Sequence, residues 1–128
     1  MRITKFRVYN DLLKNYLPDD SVCILPNGDI VLYNLAAMIA AYKRPSDMLE
    51  GENTVELFTG LKDKNGVNIY EGDILIDDTG EPIEYWVVKF ADGGFVGECA
   101  GVAESLFELT QLEVAGNIHE NSELLEER

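Results

Sequence analysis

Phe58-Thr59-Gly60-Leu61-Lys62-Asp63-Lys64-Asn65-Gly66-Val67-Asn68-Ile69-Tyr70-Glu71-Gly72-Asp73-Ile74-Leu75-Ile76 is the stretch that decides the fold. Asn65-Gly66 is the favoured two-residue pair of a type I′ hairpin, because both residues accept positive φ, and the runs on either side can pair. Gly72-Asp73 then precedes the apolar Ile74-Leu75-Ile76, and Asp77-Asp78-Thr79-Gly80 turns the chain back. Downstream, Ile83 to Phe90 alternates, with Trp86, Val88 and Phe90 on one side and Ile83, Tyr85 and Val87 on the other. Two apolar faces fit a central strand, or one bent around a closing barrel. Ala91-Asp92-Gly93-Gly94 makes a further turn before Phe95-Val96. Short strands with Gly/Asp turns at near-regular spacing predict a small antiparallel SH3-like barrel over residues 55–118.

The rest of the chain is built outward from that barrel. Leu106, Phe107 and Leu109 suit one helical turn or the start of a strand. Leu112 to Ile118 reads as a final strand in which Gly116 permits a bulge or a close backbone approach. Asn121 is placed to cap a short helix, Ser122 to Glu126, in an acidic tail of residues 119–128. Upstream, Ile3 to Tyr9 alternates Phe6 and Val8 against Lys5 and Arg7, the pattern of a half-buried strand. Asn10 to Asp20 reads as a loop, and Val22–Leu25 with Ile30–Tyr33 as a second hairpin about Pro26-Asn27-Gly28-Asp29. Leu35, Met38, Ile39 and Tyr42 recur with helical spacing between Asn34, placed to cap, and Pro45, which forbids continuation. That helix is expected to pack on the sheet, with a dimer contact as the alternative, and Asp47 to Asn53 reads as a solvated connection. The expected class is α+β and predominantly β. The barrel lies in the C-terminal half, and hairpins and one short helix lie in residues 1–54, all within a single domain of residues 1–128.

Bulk properties exclude several function classes. No run approaches the about 18 apolar residues needed to span a bilayer. Met1 to Asn10 has no continuous apolar core of a signal peptide, so a cytoplasmic protein is expected. Cys23 and Cys99 are too far apart for a zinc pattern and read as buried free thiols. The net charge is −14 and unevenly placed. Residues 1–64 hold 8 Lys+Arg and 9 Asp+Glu, whereas residues 65–128 hold only Lys89 and Arg128 against 15 acids. Such a surface repels phosphate backbones, so direct DNA or RNA binding is disfavoured. The small basic set Arg2, Lys5, Arg7 and Lys14 is the one candidate exception.

The search for reaction chemistry finds two weak candidates. Asp63-Lys64-Asn65-Gly66 hints at a calcium loop, but an EF-hand register would put Leu61 and Gly72 where acids are required. Glu71, Asp73, Asp77 and Asp78 could form a carboxylate cluster for a divalent ion or for acid/base work. The competing reading is that acids beside turns bond the backbone. His119 stands alone without a nucleophile arrangement, and Gly93-Gly94 lacks the spacing of a phosphate loop. No catalytic residue, metal ligand or cofactor is assigned. Tyr70, Tyr85, Trp86, Phe90 and Phe95 could form an aromatic surface for a protein partner, although in so small a domain they also serve as core.

Three ordered blocks resemble the YopX family. Met1-Arg2-Ile3-Thr4-Lys5-Phe6-Arg7-Val8-Tyr9-Asn10 is similar to the family's opening, with Val8-Tyr9-Asn10 departing from its usual small-Trp-Asp triplet. Phe58 to Ile74 is near-identical to the central pattern. Glu113 to Leu125, containing Gly116-Asn117-Ile118-His119-Glu120-Asn121, is similar to its ending. Residues 11–54 match least. The resemblance implies a phage or prophage protein with a compact, mainly β, barrel-like domain and no catalytic set to carry over. At His119 it often places an aromatic, which implies a packing or surface role.

The resulting expectation is a non-enzymatic phage accessory protein that binds a protein partner or self-associates, a homo-oligomer included. One alternative is an acidic mimic of nucleic acid that inhibits a host DNA-binding protein, motivated by the acidic half. The other is a divalent-metal-dependent hydrolase built on Glu71, Asp73, Asp77 and Asp78.

Overall fold

Eleven antiparallel strands and two single-turn 3-10 helices make up the described part of the chain in a computed structural model, which describes residues 5–19, 22–27, 30–32 and 51–126. The helix expected over Asn34–Tyr42 lies outside the described residues. Phe6–Glu56 form one compact unit; Lys5 and the residues from Leu57 onward form a second.

In the first unit, β1 (Phe6–Asn10) pairs with β2 (Asn15–Tyr16), Tyr9 opposite Tyr16. β1 is the strand expected over Ile3 to Tyr9, whereas β2 falls inside the stretch expected to be a loop. The hairpin forms because buried Asn10 replaces missing backbone partners: its Oδ1 accepts from Leu12 N at 3.1 Å and Leu13 N at 2.8 Å, and its Nδ2 donates to Asn53. Lys14 takes up φ 58 to complete the turn. β3 (Val22–Ile24) and β4 (Ile30–Leu32) form the expected second hairpin. Val8, Leu17 and Val22 are this unit's buried core, with Phe6, Leu13 and Val55 packed against it. Cys23 corrects the expectation of a buried thiol. It lies between inward-facing neighbours on a two-stranded ribbon and is exposed; Cys99 is half-buried.

β5 (Asn53–Lys62) runs from the first unit into the second, where it pairs with β6 (Asn68–Tyr70). Gly60, at φ 87, sits in a register shift between Phe58 and Lys62, and Thr59 Oγ1 fills the gap by donating to the Ile69 carbonyl at 2.8 Å. The connecting turn differs from the expected type I′. Asn65 does not have positive φ; only Gly66 does, at 82°. The Gly66 N–H bonds to the Asp63 carbonyl and the Asp63 N–H to the Val67 carbonyl, so Lys64, Asn65 and Gly66 form a three-residue loop.

The remaining strands form a curled antiparallel sheet, a half-barrel, in the order β10 (Val102–Ser105), β9 (Gly94–Cys99), β8 (Glu84–Ala91), β7 (Asp73–Asp77), β11 (Glu113–Asn117). Two hairpins have the left-handed pair that Asn65-Gly66 lacks: Asp92 at φ 53 with Gly93 at 83°, and Ala100 at φ 52 with Gly101 at 82°. β10, which no sequence pattern indicated, is the product of the second. Of the two readings of residues 104–109, one helical turn or the entry to a strand, the structure shows the turn: β10 ends at Ser105 and a 3-10 turn occupies Leu106–Leu109. That turn lies over the sheet where Gly97 has no side chain, since a Cβ there would stand 2.3 Å from Leu109 Cδ1. Ile69, Leu75, Trp86, Val88, Leu106, Leu109 and Leu112 make the core.

Gly116 meets both expectations placed on it. The β7–β11 register shifts between Val114 and Gly116, and an added Cβ would come within 2.3 Å of Asn121 Oδ1 and 2.8 Å of Asn121 Cβ. Asn121 does not cap the terminal 3-10 turn, Ser122–Leu125; its side chain instead accepts the Asn117 N–H at 3.1 Å. A methyl at position 116 therefore displaces a hydrogen-bonded side chain. Gly116→Ala is expected to cost about 1–3 kcal/mol in urea unfolding, whereas Gly80→Ala, with nothing within 4 Å, should stay within about 0.5 kcal/mol of wild type.

Candidate functional site

The acids and aromatics singled out by the sequence do not converge on one centre. Gly72, at φ 86, donates its N–H to the Val88 carbonyl and accepts from Ile118 N, which locks the start of β7 between β8 and the C-terminal segment. Asp73 follows, almost fully buried, and its Oδ2 accepts the Tyr70 N–H at 2.8 Å. Glu71 Oε1 accepts the Leu57 N–H at 2.7 Å. At the other end of β7, Asp77 Oδ1 accepts both the N–H and the hydroxyl of Thr79. The Thr79 hydroxyl and then its N–H outweigh the small upward effect of burial and hold the Asp77 carboxyl below its ordinary value. Asp73 and Asp77 are separated by the length of the strand, roughly 13 Å at about 3.3 Å per residue. Asp78 is exposed. Among the described residues no three His, Cys, Asp or Glu side chains are placed to share a metal ion.

One acid with three backbone partners is one the sequence treated only as part of a discarded calcium loop. Asp63 is buried, and its Oδ1 accepts from Asn65 N at 2.8 Å and Val67 N at 2.9 Å. Its Oδ2 accepts from Val114 N at 2.9 Å, which ties the β5–β6 loop to β11 across 51 residues. Burial pushes this carboxyl up, but the Val114, Val67 and Asn65 N–H groups, with the nearby Lys64 charge, pull it below the ordinary value. All of these partners hold the carboxylate in place as an acceptor. The signal was present in the sequence: an aspartate opening an Asp-Lys-Asn-Gly turn is positioned to bond amides two and four residues on.

The aromatics divide in the same way. Trp86 is 9% exposed and stands in the core, where its indole N–H finds no hydrogen-bond partner. Phe95 packs against that core, and Tyr70 lies 5.6 Å from Phe58 on the β5–β6 ribbon. Tyr85 is half-buried on the face of β8 opposite Trp86. Phe90 alone keeps the character of a surface anchor: 56% exposed, edge-on to Phe95 with ring centroids 5.2 Å apart. The sequence placed Phe90 correctly on the Trp86 face, but the core ends before the hairpin tip that carries it. Phe107, 73% exposed on the 3-10 turn, is a surface aromatic not anticipated as one.

The basic set is also partly engaged. Arg7 Nε bonds Glu56 Oε1 at 2.8 Å, and the Tyr16 hydroxyl donates to that same oxygen at 2.9 Å. The guanidinium lies 4.6 Å from the Tyr16 ring centroid, and the Glu56 side chain is 4% exposed. Lys5 sits 5.8 Å from the Phe58 ring centroid. In the C-terminal block Asn117 Oδ1 accepts from His119 N and Glu120 N while its Nδ2 donates to Glu120. His119, half-buried, thus enters this turn through its backbone.

Comparison with known proteins agrees with this architecture. A family model described as YopX protein matches residues 5–126. The crystal structure of protein EF1440 from Enterococcus faecalis is similar to this chain, with a TM-score of 0.62 and 26% identity over 98% of this chain and 99% of that one. No curated protein matches.

Asp63→Asn sets an amide donor against a backbone N–H and is expected to cost about 2 kcal/mol at neutral pH in urea unfolding. The wild-type advantage is complete above the ordinary carboxylate value of 3.8 and is lost as pH falls through the lower value of the folded protein. The two unfolding free energies therefore converge in acid. Separately, Trp86→Ala should cost about 3–5 kcal/mol and Phe90→Ala less than about 1 kcal/mol, a contrast that melting curves resolve.

Proposed function

Because the chain belongs to the YopX family, we propose that it is a non-enzymatic phage or prophage accessory protein of the bacterial cytoplasm, acting as a protein-binding or assembly module. One observation carries this reading. The side chains best suited to reaction chemistry, Asp63, Glu71, Asp73 and Asp77, bond the backbone or turn residues of their own fold. A carboxylate held by several N–H donors is stabilised as an anion and is a poor base. Two phenylalanines, Phe90 and Phe107, are by contrast exposed well beyond what the core requires. Exposed aromatics on rigid strands and turns are the residue type that concentrates interface energy. Among the described residues no helix is long and apolar enough to cross a membrane.

Immobilised wild-type protein is expected to retain a specific partner from extracts of cells in which the prophage is induced. Phe90→Ser and Phe107→Ser together should abolish that retention while leaving the urea midpoint close to wild type. A metal-dependent turnover of a phosphoester, peptide or glycoside that disappears in Asp73→Asn would overturn the reading.

A further inference from the structure

We propose that the free edge of β10, Val102–Ser105, is a docking strand for an extended, cationic segment of a partner protein, which adds to the half-barrel as a further antiparallel strand. The inference deepens the binding-module reading and rests on it. It begins from a difference between the two edges of one sheet. β11 is closed: its Val114 N–H is taken by the Asp63 carboxylate, and the Leu112 carbonyl just before it by the Lys64 N–H. β10 ends the strand order on the other side, and all four of its residues are exposed. It pairs with β9 in unbroken register from Val102–Cys99 to Ser105–Val96, so no bulge twists the edge away. It also contains neither proline nor lysine, the residues that usually blunt an edge. The other edge strands among the described residues, β2, β3, β4 and β6, have two or three residues each and are too short to template a partner.

Charge selects the occupant. Glu104 lies in the strand and Glu108 in the turn that follows, both exposed, and neither has an ion-pair partner among the described residues. Lys89, the one cation in residues 65–127, is held by Glu98. A second copy, also carrying a net charge of −14, would bring the same glutamates against this edge. Val102 and Glu104 are two residues apart and share one face of β10, so the segment that fits carries a Lys or Arg opposite Glu104 and an apolar residue two positions along, on the same face, opposite Val102. Its main chain satisfies the unpaired β10 groups, the mode in which backbone bonds give affinity and alternate side chains give specificity.

The test uses the full chain and three labelled octapeptides: one with Lys and Val two residues apart on one face and Thr on the other, its Glu counterpart, and the Lys peptide with central prolines. The Lys peptide should bind with salt-sensitive affinity and shift the backbone amide NMR signals of Val102–Ser105. The Glu and proline peptides should bind at least about tenfold more weakly, and Glu104→Lys should weaken the Lys peptide by about tenfold. Equal binding of the proline peptide would overturn strand addition, and equal binding of the Glu peptide would overturn charge selection. No binding by any peptide, or amide shifts confined to residues away from β10, would remove the edge site. Shifts centred on Phe90 and Phe95 would do so while leaving the binding-module reading intact. A concentration-dependent dimer that protects the same amides from exchange would replace the cationic segment with a second copy and so overturn the proposal.

Discussion

The Asp63 carboxylate is the interaction on which the C-terminal half most depends. A half-barrel must hold its edge strand against the loop beside it, and β11, laddered to β7 on one side, has no strand ladder to that loop on the other. Asp63 supplies the bonds, with one oxygen closing the loop on Asn65 and Val67 and the other reaching Val114 on β11. Lys64 N adds a bond to the Leu112 carbonyl. Without that bridge, the N–H of half-buried Val114 would lose its acceptor at the point where the β7–β11 register shifts, and a lost acceptor costs about 1 kcal/mol.

The same device recurs wherever an irregularity would otherwise strand a polar group. Asp73 holds the corner at Gly72, Asn10 the β1–β2 turn, and Asn117 with Asn121 the segment beyond Gly116. The central and C-terminal blocks that resemble the family pattern meet at this corner, where Asp73 lies opposite Asn117 and Ile118 N bonds the Gly72 carbonyl. Their Gly-Asp and Gly-Asn pairs follow a backbone requirement. The glycine allows the bend or the close approach, and the acid or amide after it takes up a backbone N–H that the bend leaves unpaired.

How much of this was legible depended on whether the deciding signal was local. Strand β8 followed from alternation, because buried Trp86 and Val88 share one face, and β7 and β9 followed from short apolar runs beside Gly/Asp turns. The bulge at Gly116 followed from a glycine inside a strand pattern. β10 was invisible, since Ala100 carries no turn preference and Val102-Ala103-Glu104-Ser105 no apolar period; the neighbouring strand imposes the extended conformation. The Asn65-Gly66 pair misled because its dipeptide preference competes with the Asp63 carboxylate. That carboxylate draws the turn into a three-residue loop through its bonds to Asn65 N and Val67 N. Trp86 and Phe90 share a strand face and differ only in distance from the hairpin tip, which no period reports.

The acidity of residues 65–128 therefore has two components of different physical meaning. Glu71, Asp73 and Asp77 are held locally by N–H and O–H donors, and these carboxylates are part of the scaffold. Asp78, Glu84, Glu104 and Glu108 are exposed and lack ion-pair partners among the described residues, so they set the field that an approaching molecule meets. Net charge alone cannot separate these, and it would assign the whole half to solubility or mimicry. Sorting each carboxylate by its donors shows where exposed acidic side chains coincide with unpaired backbone. On this sheet the coincidence occurs along β10, because the Asp63 bridge has already closed the opposite edge.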